Sequence, residues 1–325
     1  MIRRVFTAAA LAVLAILAGI SLSAAESGWS LPPKLVVLFG LLFIAAAASR
    51  LGLFWLRYPL LIASIAYLGF YEGSCLCPNG SLQNIPLFLS QSKAGAIGIY
   101  LLEVAVLLAV IFVFGNLYCG WVCHKGGVQE FLFRPRWAVR VPARLDSILR
   151  QTRWVLLALI LIYPLIAHEK LFNKVDPFKA LFNLRGGPLL LVFLGLTLFA
   201  SIFLYRPFCR YFCPFGALAG AVASLGLFRL KAGAGCTACR LCAKACPAGA
   251  LAIRKNGEGV EAVHRPELCL ACMECRKACP RGAVETCSGL PGDAPDCAPP
   301  APNRRSSRAS GMRSPAFRPR RGSSG

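Results

Sequence analysis

The chain has 325 residues, 57% of them hydrophobic and only 15% charged, with a mean hydropathy of +0.60, which excludes an ordinary soluble domain and points to a membrane. Lys and Arg number 36 against 14 Asp and Glu, a net charge of +22 that in so apolar a chain suits anionic lipid and cytoplasmic loops better than nucleic acid. At least eight of the sixteen cysteines fall at metal-ligand spacings, which excludes a secreted disulfide scaffold and suits thiolates kept reduced in a cytoplasm.

In chain order, six apolar stretches are long enough to cross a hydrocarbon core: approximately 5–22, 32–49, 53–71, 94–117, 153–168 and 188–205. The first follows Arg3 and Arg4 and precedes Ser23-Ala24-Ala25, so it reads equally as a signal peptide or a signal anchor. Loop charge sets the orientation. Arg50 and Arg57 bracket the second turn, and Lys125, Arg134, Arg136, Arg140, Arg144 and Arg150 fill the loop after the fourth stretch, so both are expected in the cytoplasm. Lys170, Lys174, Lys179 and Arg185 run against this rule on the outer side, but both termini are expected inside.

The expected fold is therefore an α-helical polytopic membrane domain of about six spans over residues 1–230. Residues 231–287 follow as a small α+β ferredoxin-type domain, and 288–325, rich in Pro, Ser, Gly and Arg, read as a disordered basic tail.

The second domain contains Cys236-x2-Cys239-x2-Cys242-x3-Cys246-Pro247, repeated 33 residues later at Cys269, Cys272, Cys275, Cys279 and Pro280. In the bacterial two-cluster pattern three cysteines of one run hold a 4Fe-4S cluster and the fourth reaches across to the other. Cys236, Cys239, Cys242 and Cys279 are thus expected at one cluster, and Cys269, Cys272, Cys275 and Cys246 at the second. Paired structural zinc sites are the competing reading; the third cysteine, the Cys-Pro ending and the duplication weigh against it. Cys287 and Cys297 lie outside the pattern and are expected to be free thiols.

Three related elements follow apolar stretches: Cys75-Leu-Cys77-Pro-Asn-Gly80, Cys119-Gly-Trp-Val-Cys123-His-Lys-Gly126 and Cys209-Arg-Tyr-Phe-Cys213-Pro-Phe-Gly216. If helical, Cys119 with Cys123 and Cys209 with Cys213 present two thiols on one face, about 5–6 Å apart at Cβ and too far for a relaxed disulfide. Four soft ligands at same-side helix ends make a candidate third redox or metal site, against which stands simple packing of small apolar thiols. Cys75 and Cys77 are expected on the opposite, outer side, oxidised, metal-bound or relaying electrons. Cys119 to His124 also approaches a haem-attachment motif, but its spacing is one residue too long.

The order of apolar helices, two Cys-x3-Cys elements and a C-terminal pair of 4Fe-4S motifs over roughly residues 90–285 resembles the NapH/NosR-type membrane polyferredoxins, closest to the NapH type. Asp176-Pro177-Phe178 is similar to a segment of that group. The resemblance implies electron transfer at the bacterial inner membrane, between quinol or a cytoplasmic donor and a partner oxidoreductase system, or support of that system's maturation or regulation. His124 stands where the family has Pro.

Among other residues, His168 and Glu169 read as interfacial, and Glu103, inside the fourth stretch, is the costlier group to bury and the better functional candidate. No substrate pocket, nucleophile, phosphate loop or nucleic-acid recognition motif is legible. An electron-transfer component is expected rather than a stand-alone enzyme.

Overall fold

The computed structural model describes residues 33–73, 77–91, 94–139, 141–233, 235–256 and 259–288. The expected first span at 5–22, Cys75, Cys297 and the tail beyond Ser288 lie outside the described residues.

Three described helices are long and apolar enough to cross a membrane. They are α1 (Pro33–Leu51), α4 (Ala94–Phe114) and α6 (Ala143–Ala167). A fourth crossing exists if α8 (Pro177–Asn183) and α9 (Pro188–Phe203), bent by 100°, are counted as one. The stretch expected at 53–71 is not one helix: a 3-10 turn leads into α2 (Arg57–Ser64), which widens to a π-type turn over Ile65–Tyr71. The count of six is thus not reached among the described residues, which leave out the first expected span. On α6 and α9 the apolar side chains Ile162, Ile166, Leu189, Leu196 and Phe199 point outward with more than half their surface uncovered. Apolar helix faces left this bare are solvated by lipid, so the protein is a membrane protein.

Between the long helices run shorter ones: α3 (Pro78–Ser90), α5 (His124–Leu132), α7 (Phe172–Val175), α10 (Pro207–Tyr211) and α11 (Pro214–Leu225). Prolines start α3, α8, α9, α10 and α11, where the missing N–H costs no hydrogen bond and the fixed φ favours the first turn. The sequence can therefore turn sharply and restart a helix within one or two residues, which is what brings the cysteine elements inward.

The ferredoxin-type module begins at Phe228, so the expected junction at 230/231 falls inside its first strand. β1 (Phe228–Ala232) pairs antiparallel with β4 (Val284–Ser288), Phe228 opposite Ser288, joining the two ends of the module; Ser288 closes this ladder and is not part of a tail. β2 (Leu251–Asn256) and β3 (Gly259–His264) form the second ladder, and α12 (Leu241–Ala245) and α13 (Glu274–Lys277) lie one within each ligand run, carrying Cys242 and Cys275. Cys287, expected to be free, is disulfide-bonded.

The module packs on the membrane helices through backbone. Trp121 Nε1 donates to Ala271 O at 2.9 Å, and Asn116 Nδ2 donates to Cys269 O at 3.0 Å and Pro266 O at 3.2 Å. Gly120 is required here: a Cβ on it would stand 1.9 Å from Leu270 O.

Candidate iron–sulfur centres

The duplicated cysteine runs fold alike. Ala238 and Arg240 in the first, and Ala271 and Met273 in the second, all take the left-handed conformation, φ 56°, 61°, 49° and 59°. Such residues are strained outside a site that needs them; alternating them with cysteines wraps each loop around a centre. Ala250 N donates to Cys246 Sγ at 3.2 Å, and its counterpart 33 residues on, Ala283 N, donates to Cys279 Sγ at 3.3 Å. Amide donors to sulfur stabilise the negative charge of a thiolate-bound cluster.

Cys236, Cys239, Cys242 and Cys279 line one small cavity, and Cys246, Cys269, Cys272 and Cys275 line another. The fourth cysteine of each run thus stands with the other run's first three. Burial pushes the Cys275 thiol up to about 12 and the Cys269 thiol well above its ordinary value, so these sulfurs become thiolates only with a cation to neutralise them. Among the described residues no three His, Cys, Asp or Glu side chains are close enough to hold a single metal ion. Four cysteines spread around each cavity fit the ligand set of a four-iron cluster.

At the membrane side, the expected pair of uninterrupted i, i+4 helices is not what forms. Cys119 lies in a π-type turn (Tyr118–Val122), Cys209 lies in α10, and Cys123 and Cys213 are the extended N-caps of α5 and α11. Cys77 caps α3 in the same way. All five line one cavity of about 90 Å³, roofed by Leu268 and Leu270 of the ferredoxin module. Cys77 is therefore not remote from the other four, as loop charge suggested. The chain after Tyr71 turns back inward, and Asn79, two residues on, accepts from Phe215 N at 2.7 Å and approaches Cys213 Sγ at 3.6 Å.

Three helix N-termini meeting at thiols favour negative charge there, and Gly216 N donates to Cys213 Sγ at 3.3 Å. Gln129 Nε2 donates to Cys209 Sγ at 3.3 Å while its Oε1 accepts from Phe208 N. Gln83 repeats that last bond with Phe172 N at 2.9 Å, six residues after its own N-cap cysteine as Gln129 is after Cys123. On α6, buried Asp146 accepts from Arg210 Nε at 2.6 Å and Tyr211 Oη at 2.9 Å, fixing the short helix that carries Cys209.

Residues that loop-charge reasoning assigned to solvent prove to be structural parts of this region. Lys125 is buried and pairs with Asp176, which also caps α8 through Phe178 N. Arg57 is fully buried, donating to Glu130 at 2.6 Å and to Gly120 O at 3.0 Å. Arg206, left-handed at φ 50°, donates to Glu130 and to Cys119 O. Burial pushes the Glu130 carboxyl upward, but the two guanidiniums outweigh it and hold it below the usual carboxylate range. The two arginines share Glu130, Glu274 Oε1 stands 3.8 Å from Arg57 NH1, and the cluster packs beside Cys119 and Cys272. Gly126 makes room for it, since a Cβ there would meet Arg206 NH1 at 2.5 Å.

His124 is fully buried against the Phe182 ring, 5.1 Å between centroids, and burial with Lys125 beside it lowers its pKa to about 3. His168 is exposed and pairs with Ser90 Oγ at 3.1 Å.

Comparison with known families gives two matches. A 4Fe-4S dicluster domain covers residues 235–283, and a 4Fe-4S binding domain matches twice, over 97–142 and 186–233, each containing one of the two Cys-x3-Cys elements. An uncharacterized protein of Methanocaldococcus jannaschii is 28% identical over 54% of this chain and 74% of its own length. The putative electron transport protein YccM of Escherichia coli is 26% identical over 59% of this chain and 58% of its own, and the ferredoxin-type protein NapH of the same organism is 27% identical over 39% and 46%. Proteins named NirI, MauN and regulatory protein NosR match as well. Apart from the first, these matches span less than two thirds of the relatives' own length. No solved structure matches.

Proposed function

Proceeding from a chain related to the NapH/NosR-type membrane polyferredoxins, with 4Fe-4S binding domains and apolar membrane helices, we propose that it is a membrane-anchored electron carrier with three centres in series. Cys236, Cys239, Cys242 and Cys279 hold one 4Fe-4S cluster, Cys269, Cys272, Cys275 and Cys246 a second, and Cys119, Cys123, Cys209 and Cys213 a third iron–sulfur centre at the membrane. When bound, such clusters supply one-electron carriers; the chain's own residues fix their order and surroundings.

The observation that carries this reading is the docking of the second ligand loop onto the first Cys-x3-Cys turn. Trp121 and Asn116 hold the carbonyls of Ala271 and Cys269, and Gly120 lets Leu270 approach, so the loop that carries Cys269 and Cys272 packs directly on the turn that carries Cys119.

In this reading electrons pass between the quinone pool or a cytoplasmic donor and a partner oxidoreductase. The chain sits in the bacterial inner membrane with about six crossings and the ferredoxin module in the cytoplasm. A second reading, maturation or regulation of such a partner, draws on the relative named regulatory protein NosR. Reduction of the ferredoxin clusters by membrane quinol in purified protein favours electron transfer; cluster-containing protein that exchanges no electrons with quinol or partner favours the second reading.

A further inference from the structure

A second cavity, of about 490 Å³, opens beside the thiols and shares Cys77 with them. Its wall holds Glu103, on the apolar helix α4 and 99% buried, whose Oε2 accepts from Ser81 Oγ at 2.7 Å. Glu103 Oε1 has no hydrogen-bond partner, and neither has Asn84 Oδ1 on the same wall. Among the described residues no Lys or Arg nitrogen stands within 4 Å of Glu103; Lys34, on the same cavity wall, is the cation that acts on it from further off. A carboxylate placed in an apolar helix without an ion-pair partner is expensive, and its usual justification is proton chemistry.

The geometry also sets what fits. Cys77 caps α3 and Ser81 lies one turn further along the same face, so their Cβ atoms are about 5–6 Å apart. A ligand touching the Glu103 carboxylate is therefore within a ring's width of Cys77. Two orphan acceptor oxygens call for a ligand with two hydroxyl donors, and Tyr100 and Phe172 supply aromatic surface.

We propose that this cavity binds the head of a hydroquinone and that Glu103 Oε1 accepts its proton. This rests on the reading above in which the membrane thiols hold an iron–sulfur centre. In the step the two O–H bonds of the hydroquinone break to give the quinone. One proton bonds to Glu103 Oε1 and passes to water at the lysine-lined mouth, and the second follows by the same carboxylate. The two electrons leave singly for the thiolate-bound iron, the oxidant. Ser81 orients the carboxylate through its hydroxyl.

The test uses the full chain in nanodiscs, iron-loaded anaerobically, with decylubiquinol as the probe. In Glu103→Gln, iron content and reduction by dithionite stay as in the unmodified protein, while reduction by decylubiquinol slows about 100-fold, the scale of a lost general base. An infrared difference spectrum shows a carboxyl gaining a proton in the unmodified chain and none in Glu103→Gln. Ser81→Ala slows the same step several-fold and stands in if Glu103→Gln loses its iron. Decylubiquinol reduction at the unmodified rate in both variants overturns the proposal. So does an unmodified chain whose three centres accept electrons from dithionite but none from decylubiquinol, which leaves the three-centre reading intact. Absence of the third centre itself overturns that earlier reading.

Discussion

Gly120→Ala isolates the contact on which electron passage between module and membrane depends. The added methyl would lie 1.9 Å from Leu270 O, and ordinary contact needs about 3.4 Å, so the ligand loop must retreat by about 1.5 Å. Retreat of that size stretches the Trp121 bond to Ala271 O from 2.9 Å and the Asn116 bond to Cys269 O from 3.0 Å beyond hydrogen-bonding range. Each lost bond costs about 1 kcal/mol, and the buried donors left behind add a similar amount. A total of about 2–4 kcal/mol is enough to detach a docked module at equilibrium. The backbone at Gly120 is helical with negative φ, so alanine brings no conformational strain of its own. The assay compares protease release of the ferredoxin module from nanodisc-held protein, and reduction of its clusters from the membrane side, in unmodified protein, Gly120→Ala and Trp121→Phe. Gly120→Ala should release the module fastest, with Trp121→Phe intermediate at about 1 kcal/mol. A Gly120→Ala protein as resistant to protease as the parent would refute the docking argument.

Glu130→Gln removes the carboxylate shared by Arg57 and Arg206 and should cost about 3–5 kcal/mol in thermal or denaturant unfolding, because it leaves buried Arg206 unpaired and Arg57 with only Glu274 at 3.8 Å; a loss under 1 kcal/mol would show that water reaches the pair. Cys279→Ser should remove the cluster whose other ligands are Cys236, Cys239 and Cys242, seen as loss of about four of the iron atoms and one of two cluster signals. Burial, with Arg229 adding to it, lowers His264 to about 4, and its Nδ1 accepts from Leu230 N at 3.3 Å. Because the unfolded chain binds that proton near pH 6.5 and the folded module only near pH 4, stability should be whole above pH 6.5 and fall between pH 6.5 and 4; His264→Gln should flatten that slope. Cys123 and Cys246 should resist impermeant thiol reagents added outside intact cells, with outside labelling of Cys123 reversing the orientation.

What could be seen beforehand follows the range of each interaction. The two ligand runs were legible because cluster ligation is coded by spacing within twelve residues, repeated 33 residues on. Positions such as Ala238 and Ala271 carry no such signal, since their left-handed backbone is imposed by the loop's closure. Helix breaks were less legible: hydropathy reports solvation along a segment and not whether it bends back. Cys77 was therefore expected on the far side, though the inward turn at α3 brings it to Cys123 and Cys213. Lys125, Arg57 and Arg206 were counted as loop or unassigned charge because their partners, Asp176 and Glu130, lie 51, 73 and 76 residues away. Gly120 looked like one glycine among many, and only the approach of Leu270 explains it.

The central claim, a third iron–sulfur centre joined to the ferredoxin pair, is tested most directly by counting iron in anaerobically purified unmodified protein and Cys213→Ala, with electron paramagnetic resonance on both. The account predicts about twelve iron atoms in the first and about eight in the second, with one signal lost and the two ferredoxin signals kept. Eight in both, with unchanged spectra, would contradict it and leave Cys119, Cys123, Cys209 and Cys213 as buried packing residues.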